Sequence, residues 1–281
     1  TSMTMLSINT NVGALKAAQA SYSVNKSMET SMQRLSSGKR INSAADDAAG
    51  LQVANRLTAE VQALNMSVRN AADAQAMLAT AEGASKEIHL LLLRMREIAV
   101  QASNGTMGTA DRAAIASEFT ALEEEINRIG EDTTWAGNQL LDGTFSVATT
   151  NTGRFQIGPD AGQTITHRIE DLATTAISIV AAIDVTTFTK AQSAITQLDK
   201  SISTVGTERQ QIGAVMNRLD HTIANLQQVA TNLQTSIGRI EDADFAAESS
   251  NLARTQVLQQ ASMAMLAQAN ASKQNILALF Q

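Results

Sequence analysis

Three histidines, His89, His167 and His221, are the residues best equipped for proton transfer or metal binding near neutral pH, and they stand far apart in the chain. No HExxH pair sets two metal ligands one helical turn apart, and with no cysteine there is neither a thiolate ligand nor a disulfide. His89 and His221 belong to two different helical stretches and could meet across a helix pair, or each could be an ordinary seam or surface residue. The acidic run Glu123, Glu124 and Glu125 reads as a solvated helix face rather than as paired catalytic carboxylates. Serine and threonine are plentiful without a base beside them, and Gly137, Gly143, Gly153, Gly158 and Gly162 do not make a phosphate loop. These residues point away from an enzyme and predict no catalytic, metal or cofactor site.

The elements that carry them are mostly helical. Both ends are long, alanine-rich and free of proline, whereas the one proline, Pro159, lies in a Gly/Thr-rich middle. Ile195, Leu198, Ile202, Val205, Ile212, Met216, Leu219, Ile223, Leu226, Leu233, Ile237 and Ile240 recur in steps of three and four, with Arg209 and Ala230 as the two interruptions of the seam. A matching ladder runs through Leu57, Val61, Leu64, Val68, Leu78, Ile88, Leu92 and Met95, and a shorter one through Ile115, Phe119, Leu122, Ile126 and Ile129. A sustained 3.5-residue repeat is the pattern of helices packed along their length. The expected fold is mainly α: a long antiparallel coiled-coil helical hairpin with paired terminal helices and a small β-hairpin element near the middle of the chain. The organisation expected is 1–45 and 238–281 as two parts of an inner-core domain, and 46–237 as a rod domain with a small β region at about 130–189.

With 281 residues and 44% hydrophobic content the chain can bury a core, yet 3% aromatic residues favour thin, closely packed helices. The net charge of -6 is uneven: residues 1–45 carry five basic and one acidic side chain, and the acidic excess lies in the centre. Lys16, Lys26, Arg34, Lys39 and Arg40 are spread out with Tyr22 as the lone aromatic neighbour, which argues against nucleic acid. No apolar run reaches the roughly 18 residues of a membrane span. The start lacks the basic, apolar and small-residue regions of a cleavable secretory signal.

In the N-terminal arm, Ile8, Val12, Leu15 and Tyr22, then Val24, Met28, Met32 and Leu35, are read as one apolar face, capped by Asn9 or Thr10 and ending near residue 33. Residues 35–51 form a connector, with Gly38 as C-cap and Asp46 or Asp47 opening the next helix. Gly38, Lys39, Arg40, Asp46 and Asp47 could be a salt-bridged joint or a plain linker. The C-terminal arm begins near Glu241, Asp242 and Asp244 and carries Leu252, Leu258, Met265, Ile276 and Phe280. Neither arm can bury its apolar face alone, so the arms must pair with each other or with other copies. Strand-like segments around Trp135, Leu140 and Phe155 are separated by Gly/Asn turns, and residues 144–152 and 174–189 are threonine-rich.

INTN at 8–11, LSSGKRINSAADDAAGL at 35–51, RMREIAVQASNGT at 94–106, NQLLDG at 138–143, FQIG at 155–158 and the stretch from Arg239 to Phe280 closely resemble bacterial flagellin over nearly the whole chain. The resemblance implies an extracellular subunit that self-polymerises into the flagellar filament and serves motility, its terminal helices folding on assembly into the inner tube, without large outer domains. The core-packing residues would be Ile8, Val12, Leu15, Met28, Met32, Leu35, Leu252, Leu258, Met265, Ile276 and Phe280. The implied partners are other copies of the chain, the flagellar export apparatus, a chaperone holding the C-terminal helix, and the hook-associated junction and cap proteins, with export by an uncleaved signal. In related flagellins the stretch matching Arg94, Ile98 and Glu118 is recognised by the flagellin-sensing Toll-like receptor; alternatively Arg94 and Arg96 pair with Glu97 or Glu118, or contact a neighbouring subunit. A hook-filament junction protein shares the terminal pattern and is the alternative.

Overall fold

The computed structural model describes residues 10–145, 153–173 and 183–278, the side chains of 273–278 excepted. Ile8 and Phe280, the side chain of Ile276, and much of the threonine-rich segments therefore lie outside the described residues. The elements run α1 (Val12–Ser37), α2 (Ala48–Ala102), α3 (Thr109–Asp132), β1 (Thr134–Trp135), β2 (Asn138–Gln139), β3 (Arg154–Gln156), β4 (Thr164–Thr166), α4 (Phe188–Glu241) and α5 (Phe245–Ala278). The chain divides into two compact units, one of residues 1–59 with 232–281 and one of 60–231. No described helix is long and apolar enough to cross a membrane.

In the unit of residues 60–231, α2 and α4 run antiparallel. Gln75 donates to the Asp220 carboxylate at 2.6 Å, Arg209 pairs with Glu82 at 2.7 Å and Arg96 with Asp199 at 2.6 Å. As the number rises on one helix it falls on the other, so His89 faces the region near residue 204 and His221 the region near 72. At about 1.5 Å per residue the two histidines are on the order of 25 Å apart, and the meeting considered from sequence does not occur.

The buried seam follows a stricter heptad than the ladder of large residues suggests. On α2 it is Leu64, Ser67, Ala71, Ala74, Leu78, Ala81, Ser85, Ile88, Leu92, Met95, Ala99 and Ala102; on α4 it is Ala191, Ala194, Leu198, Ser201, Val205, Glu208, Ile212, Val215 and Leu219. Ile195, Ile202 and Met216, read as seam residues, are half-buried flanks. The position expected as an interruption at Arg209 belongs instead to Glu208, one residue earlier. Reading by large side chains misplaces the frame because alanine and serine fill many a and d positions, letting the backbones approach. The buried hydroxyls of Ser67, Ser85 and Ser201 donate to carbonyls one turn back, at 2.9, 2.7 and 3.1 Å, so they leave no unmatched donor.

Helix α3 adds Phe119 and Ile126 to this core. Its Gly130 is needed for contact: a Cβ there would lie 3.1 Å from the Ala173 Cα and 3.2 Å from its nitrogen. Beyond α3 come two separate antiparallel hairpins rather than one, β1 with β2 and β3 with β4. Both central residues of the first turn have positive φ, 50° at Ala136 and 85° at Gly137, the geometry of a tight primed hairpin turn. Leu140, Leu141, Phe145, Ile165, Ile169 and Leu172 complete the core.

Among the described residues, His167 and Glu208 form an ionisable contact in which both side chains are buried, and sequence reading missed it; its signal was an acidic residue at a core heptad position. Their Nε2 and Oε1 are 3.6 Å apart, with side chains 7% and 2% exposed, and neither atom has a hydrogen-bond partner among the described residues. Removing one member strands the other in the core. His167→Ala should therefore cost about 1–3 kcal/mol, and replacing both residues with leucine should cost less than that single change, as measured by urea unfolding. Ala136→Asn should add about 0.5–1 kcal/mol in the same assay, because asparagine tolerates positive φ better than alanine.

Candidate assembly interface

The unit formed by both chain ends is built on α1 and α5, which pack antiparallel. Asn11 caps α1 by accepting from the Ala14 amide at 3.0 Å, while its Nδ2 donates to the Ala269 carbonyl at 3.2 Å; at the other end Arg34 faces Glu248 at 3.7 Å. The cap is thus Asn11 rather than Asn9 or Thr10, and α1 runs four residues beyond the expected end, to Ser37.

The contact face of α1 runs through Ala14, Ala17, Ser21, Val24, Met28, Ser31 and Leu35, and that of α5 through Glu248, Leu252, Thr255, Gln259, Ser262, Leu266 and Ala269. Both repeat in steps of three and four, which is the spacing of a coiled-coil seam. The side chains are small or polar at most levels, so the helices meet closely while burying little apolar area. The single apolar face expected on α1 is therefore two faces. Met28, Leu35 and Leu252 lie half-buried in the seam, whereas Val12, Leu15, Met32, Leu258 and Met265 are exposed, Leu15 at 62% and Met265 at 65%. Tyr22, Phe245, Val257 and Met263 are exposed with them. A groove of about 380 Å³ runs along the pair, floored by Gly13, Ala17, Ala20 and Ala261 and edged by Leu258 and Met265.

The breaks that separate α1 from α2 and α4 from α5 are bonded to each other. Gly38, with φ of 71°, closes α1 by donating its amide to the Arg34 carbonyl at 2.9 Å. Its own carbonyl accepts from the Ala243 amide at 3.0 Å, and the Arg40 amide donates to the Glu241 carbonyl. Lys39 Nζ reaches Glu241 at 2.7 Å, and the Arg40 guanidinium donates to the Ile240 carbonyl at 2.8 Å and faces Asp47 at 3.6 Å. Glu241 is buried, as is Ile41 between the breaks. Asp47 caps α2 through the Gly50 amide at 2.8 Å, and Asp244 caps α5 through the amides of Ala246 and Ala247. Gly38, Lys39, Arg40 and Asp47 take part in this bonding, whereas Asp46 bonds, among the described residues, only to its near neighbours Asn42 and Ser43.

Asp46 accepts from the backbone amides of Asn42 and Ser43, at 3.0 and 2.8 Å, and from the Ser43 hydroxyl. These donors, the Asn42 amide foremost, hold its carboxyl below the usual aspartate value. In the unit of residues 60–231, Arg94 pairs with Glu118 at 2.9 Å and Glu97 at 3.0 Å, tying α2 to α3 across an exposed surface. Ile98 is 1% exposed and belongs to the core, so it supports that surface from beneath; the exposed apolar residues beside Arg94 are Leu90 and Leu93. No group of three or more His, Asp or Glu residues among those described could hold a metal ion.

Terminal helices paired through a small, polar seam with their large apolar side chains exposed, and a second unit built on a coiled coil, give the chain the class of a helical structural protein. The family model for the bacterial flagellin N-terminal helical region matches residues 8–146, and that for the C-terminal helical region matches 189–280. The chain belongs to the bacterial flagellin family. It is 42% identical over 276 residues to a flagellin of Halalkalibacterium halodurans, covering 98% of this chain and 99% of that one. A flagellin of Bacillus subtilis is 39% identical over 304 residues, with 98% and 99% covered. The crystal structure of Bacillus cereus flagellin aligns with a TM-score of 0.50 and 32% identity over 60% of this chain and 94% of that one. A putative flagellar hook-associated protein of Vibrio parahaemolyticus shares the fold, with a TM-score of 0.58 at 17% identity over 70% of this chain and 100% of that one. Relatives of matching length agree with the expectation that a large outer domain is missing.

The connector makes a pH prediction. Because the Asp46 carboxyl is lowered in the folded state, its contribution is complete above the unfolded value of about 3.9 and is lost as pH falls through the lower folded value. The amide resonances of Asn42 and Ser43 should titrate together with a midpoint below that of an unstructured aspartate. A midpoint at or above it would contradict the hydrogen bonds assigned here.

Proposed function

We propose that this chain is the subunit of a bacterial flagellar filament, an extracellular polymer that serves motility, with residues 1–45 and 238–281 forming its inner core. The observation that carries the proposal is the outward placement of Val12, Leu15, Met32, Leu258 and Met265 on a helix pair whose own seam is small and polar. A pair built this way gains most by docking against others of its kind. Each large side chain covered contributes roughly 1.5–3 kcal/mol before the cost of ordering. The groove edged by Leu258 and Met265 accepts such a side-chain row from a neighbouring copy. The terminal helices then complete their folding as they are added, because an amphipathic helix draws most of its stability from tertiary contacts.

Membership of the family supports the wider setting: passage through the flagellar export apparatus on an uncleaved N-terminal signal, a chaperone covering the C-terminal helix, and contact with the junction and cap proteins. The hook-filament junction reading is weaker, since the relatives that match at 42% and 39% identity over nearly their full length are named flagellin. The exposed Arg94 and Glu118 pair is proposed as a contact between subunits, and as the part of this surface open to the flagellin-sensing Toll-like receptor.

The test is electron microscopy of purified protein seeded with short filament fragments. The full chain should elongate the seeds, and a chain lacking residues 241–281 should stay soluble without elongating them. The double change Leu15→Ser with Leu258→Ser should raise the concentration needed for elongation at least about tenfold, equivalent to about 1.4 kcal/mol. Filaments grown from the truncated chain would refute the proposal.

A further inference from the structure

A cleft of about 340 Å³ in the unit of residues 60–231 lies between α2 and the two hairpins, and it takes no part in the assembly argument. Asn70, Asp73 and Met77 line it from α2, Trp135 from β1, and Arg154 and Phe155 from β3. We propose that this cleft binds a neutral saccharide unit.

The wall is fixed before any ligand arrives. Asn70 Nδ2 donates to the Gln156 carbonyl at 3.1 Å, pinning β3 to α2, and the Gln156 side chain donates to the carbonyls of Gly158 at 2.8 Å and Asp160 at 2.6 Å. Trp135 and Phe155 are half-buried, packed on the core while lining the cleft. A preorganised wall lowers the ordering cost of binding.

The charges select the ligand. Asp73 and Arg154 are exposed, and neither side chain forms an ion pair or hydrogen bond with another described residue. One negative and one positive group cancel, so the cleft has no net attraction for a nucleotide or a polyanion. A wholly apolar ligand would desolvate both groups without replacing their hydrogen bonds. A sugar matches both kinds of surface. Its hydroxyls donate to the Asp73 carboxylate and accept from the Arg154 guanidinium, while its C–H face lies against the aromatic side chains. The volume falls at the lower end of the roughly 300–1,000 Å³ usual for small-molecule pockets.

Trp135 is the chain's only tryptophan, so its emission reports on the cleft alone. Maltose, lactose and N,N′-diacetylchitobiose are titrated into the full-length soluble protein, with saturation-transfer NMR of each sugar run in parallel. At least one sugar should bind with a Kd on the order of millimolar, read by a saturable emission change or by saturation transfer. Asp73→Asn and Arg154→Gln should each weaken that binding about tenfold or more with the melting temperature unchanged. Absence of both signals for all three sugars overturns the proposal, as does binding that both variants retain. A response to a short peptide such as Gly-Gly-Gly in place of the sugars also overturns it.

Discussion

The antiparallel register of α2 and α4 is the constraint on which the unit of residues 60–231 depends. Gln75 with Asp220, Glu82 with Arg209 and Arg96 with Asp199 hold it at three levels, but these are exposed or half-exposed contacts of modest individual worth. The larger share comes from the heptad between them, in which Leu78, Ile88, Leu92 and Met95 meet Leu198, Val205, Ile212 and Leu219 with almost no apolar surface left in water. A slip of one residue would bring flanking polar side chains into the seam and turn the core residues outward. Once the register is set, the place of α3 and both hairpins is set as well, because Phe119, Ile126, Leu140 and Leu172 pack into the same core.

Much of this was legible in the sequence. Large apolar residues at steps of three and four announced α2, α3 and α4, and Gly38, Asp47 and Asp244 marked chain breaks at or near their observed places. What the ladder could not convey was which face was innermost. Ala71, Ala74 and Ala81, and Ser21 and Ser31 in the terminal pair, lie buried because they are small enough for two backbones to approach. A reading weighted by hydrophobicity prefers Met32 or Leu15 at those levels and so merges two faces into one. Glu208 escaped for a related reason: an acidic residue at a core position is uncommon, and its partner His167 is far away in sequence. Nor could spacing reveal that the backbones of Lys39 and Asp242 form an antiparallel β-bridge across the two breaks, since that bridge joins opposite ends of the chain.

The two helix pairs solve one geometric problem with opposite chemistry. Within the unit of residues 60–231 the seam is fed with leucine, isoleucine and methionine, which makes it self-sufficient. Between α1 and α5 the same spacing is filled largely with alanine, serine, threonine and glutamine, and the apolar side chains are displaced to the outside. The first pair is stabilised by what it encloses. The second has a defined shape but leaves much of its hydrophobic potential unspent, and that difference is written in residue size rather than in periodicity.

The hydrogen bonds across residues 38–40 and 241–243 carry a mechanical consequence. Two interruptions in neighbouring helices would ordinarily give each strand its own freedom to swivel. Here the Gly38 carbonyl, the Arg40 amide and the Lys39 ammonium all engage the opposite break, so the chain's outbound and returning paths are clamped at the same level. A twist applied to α1 at this level is therefore passed to the start of α5 through these bonds, so the two breaks are a shared point of load rather than two independent swivels.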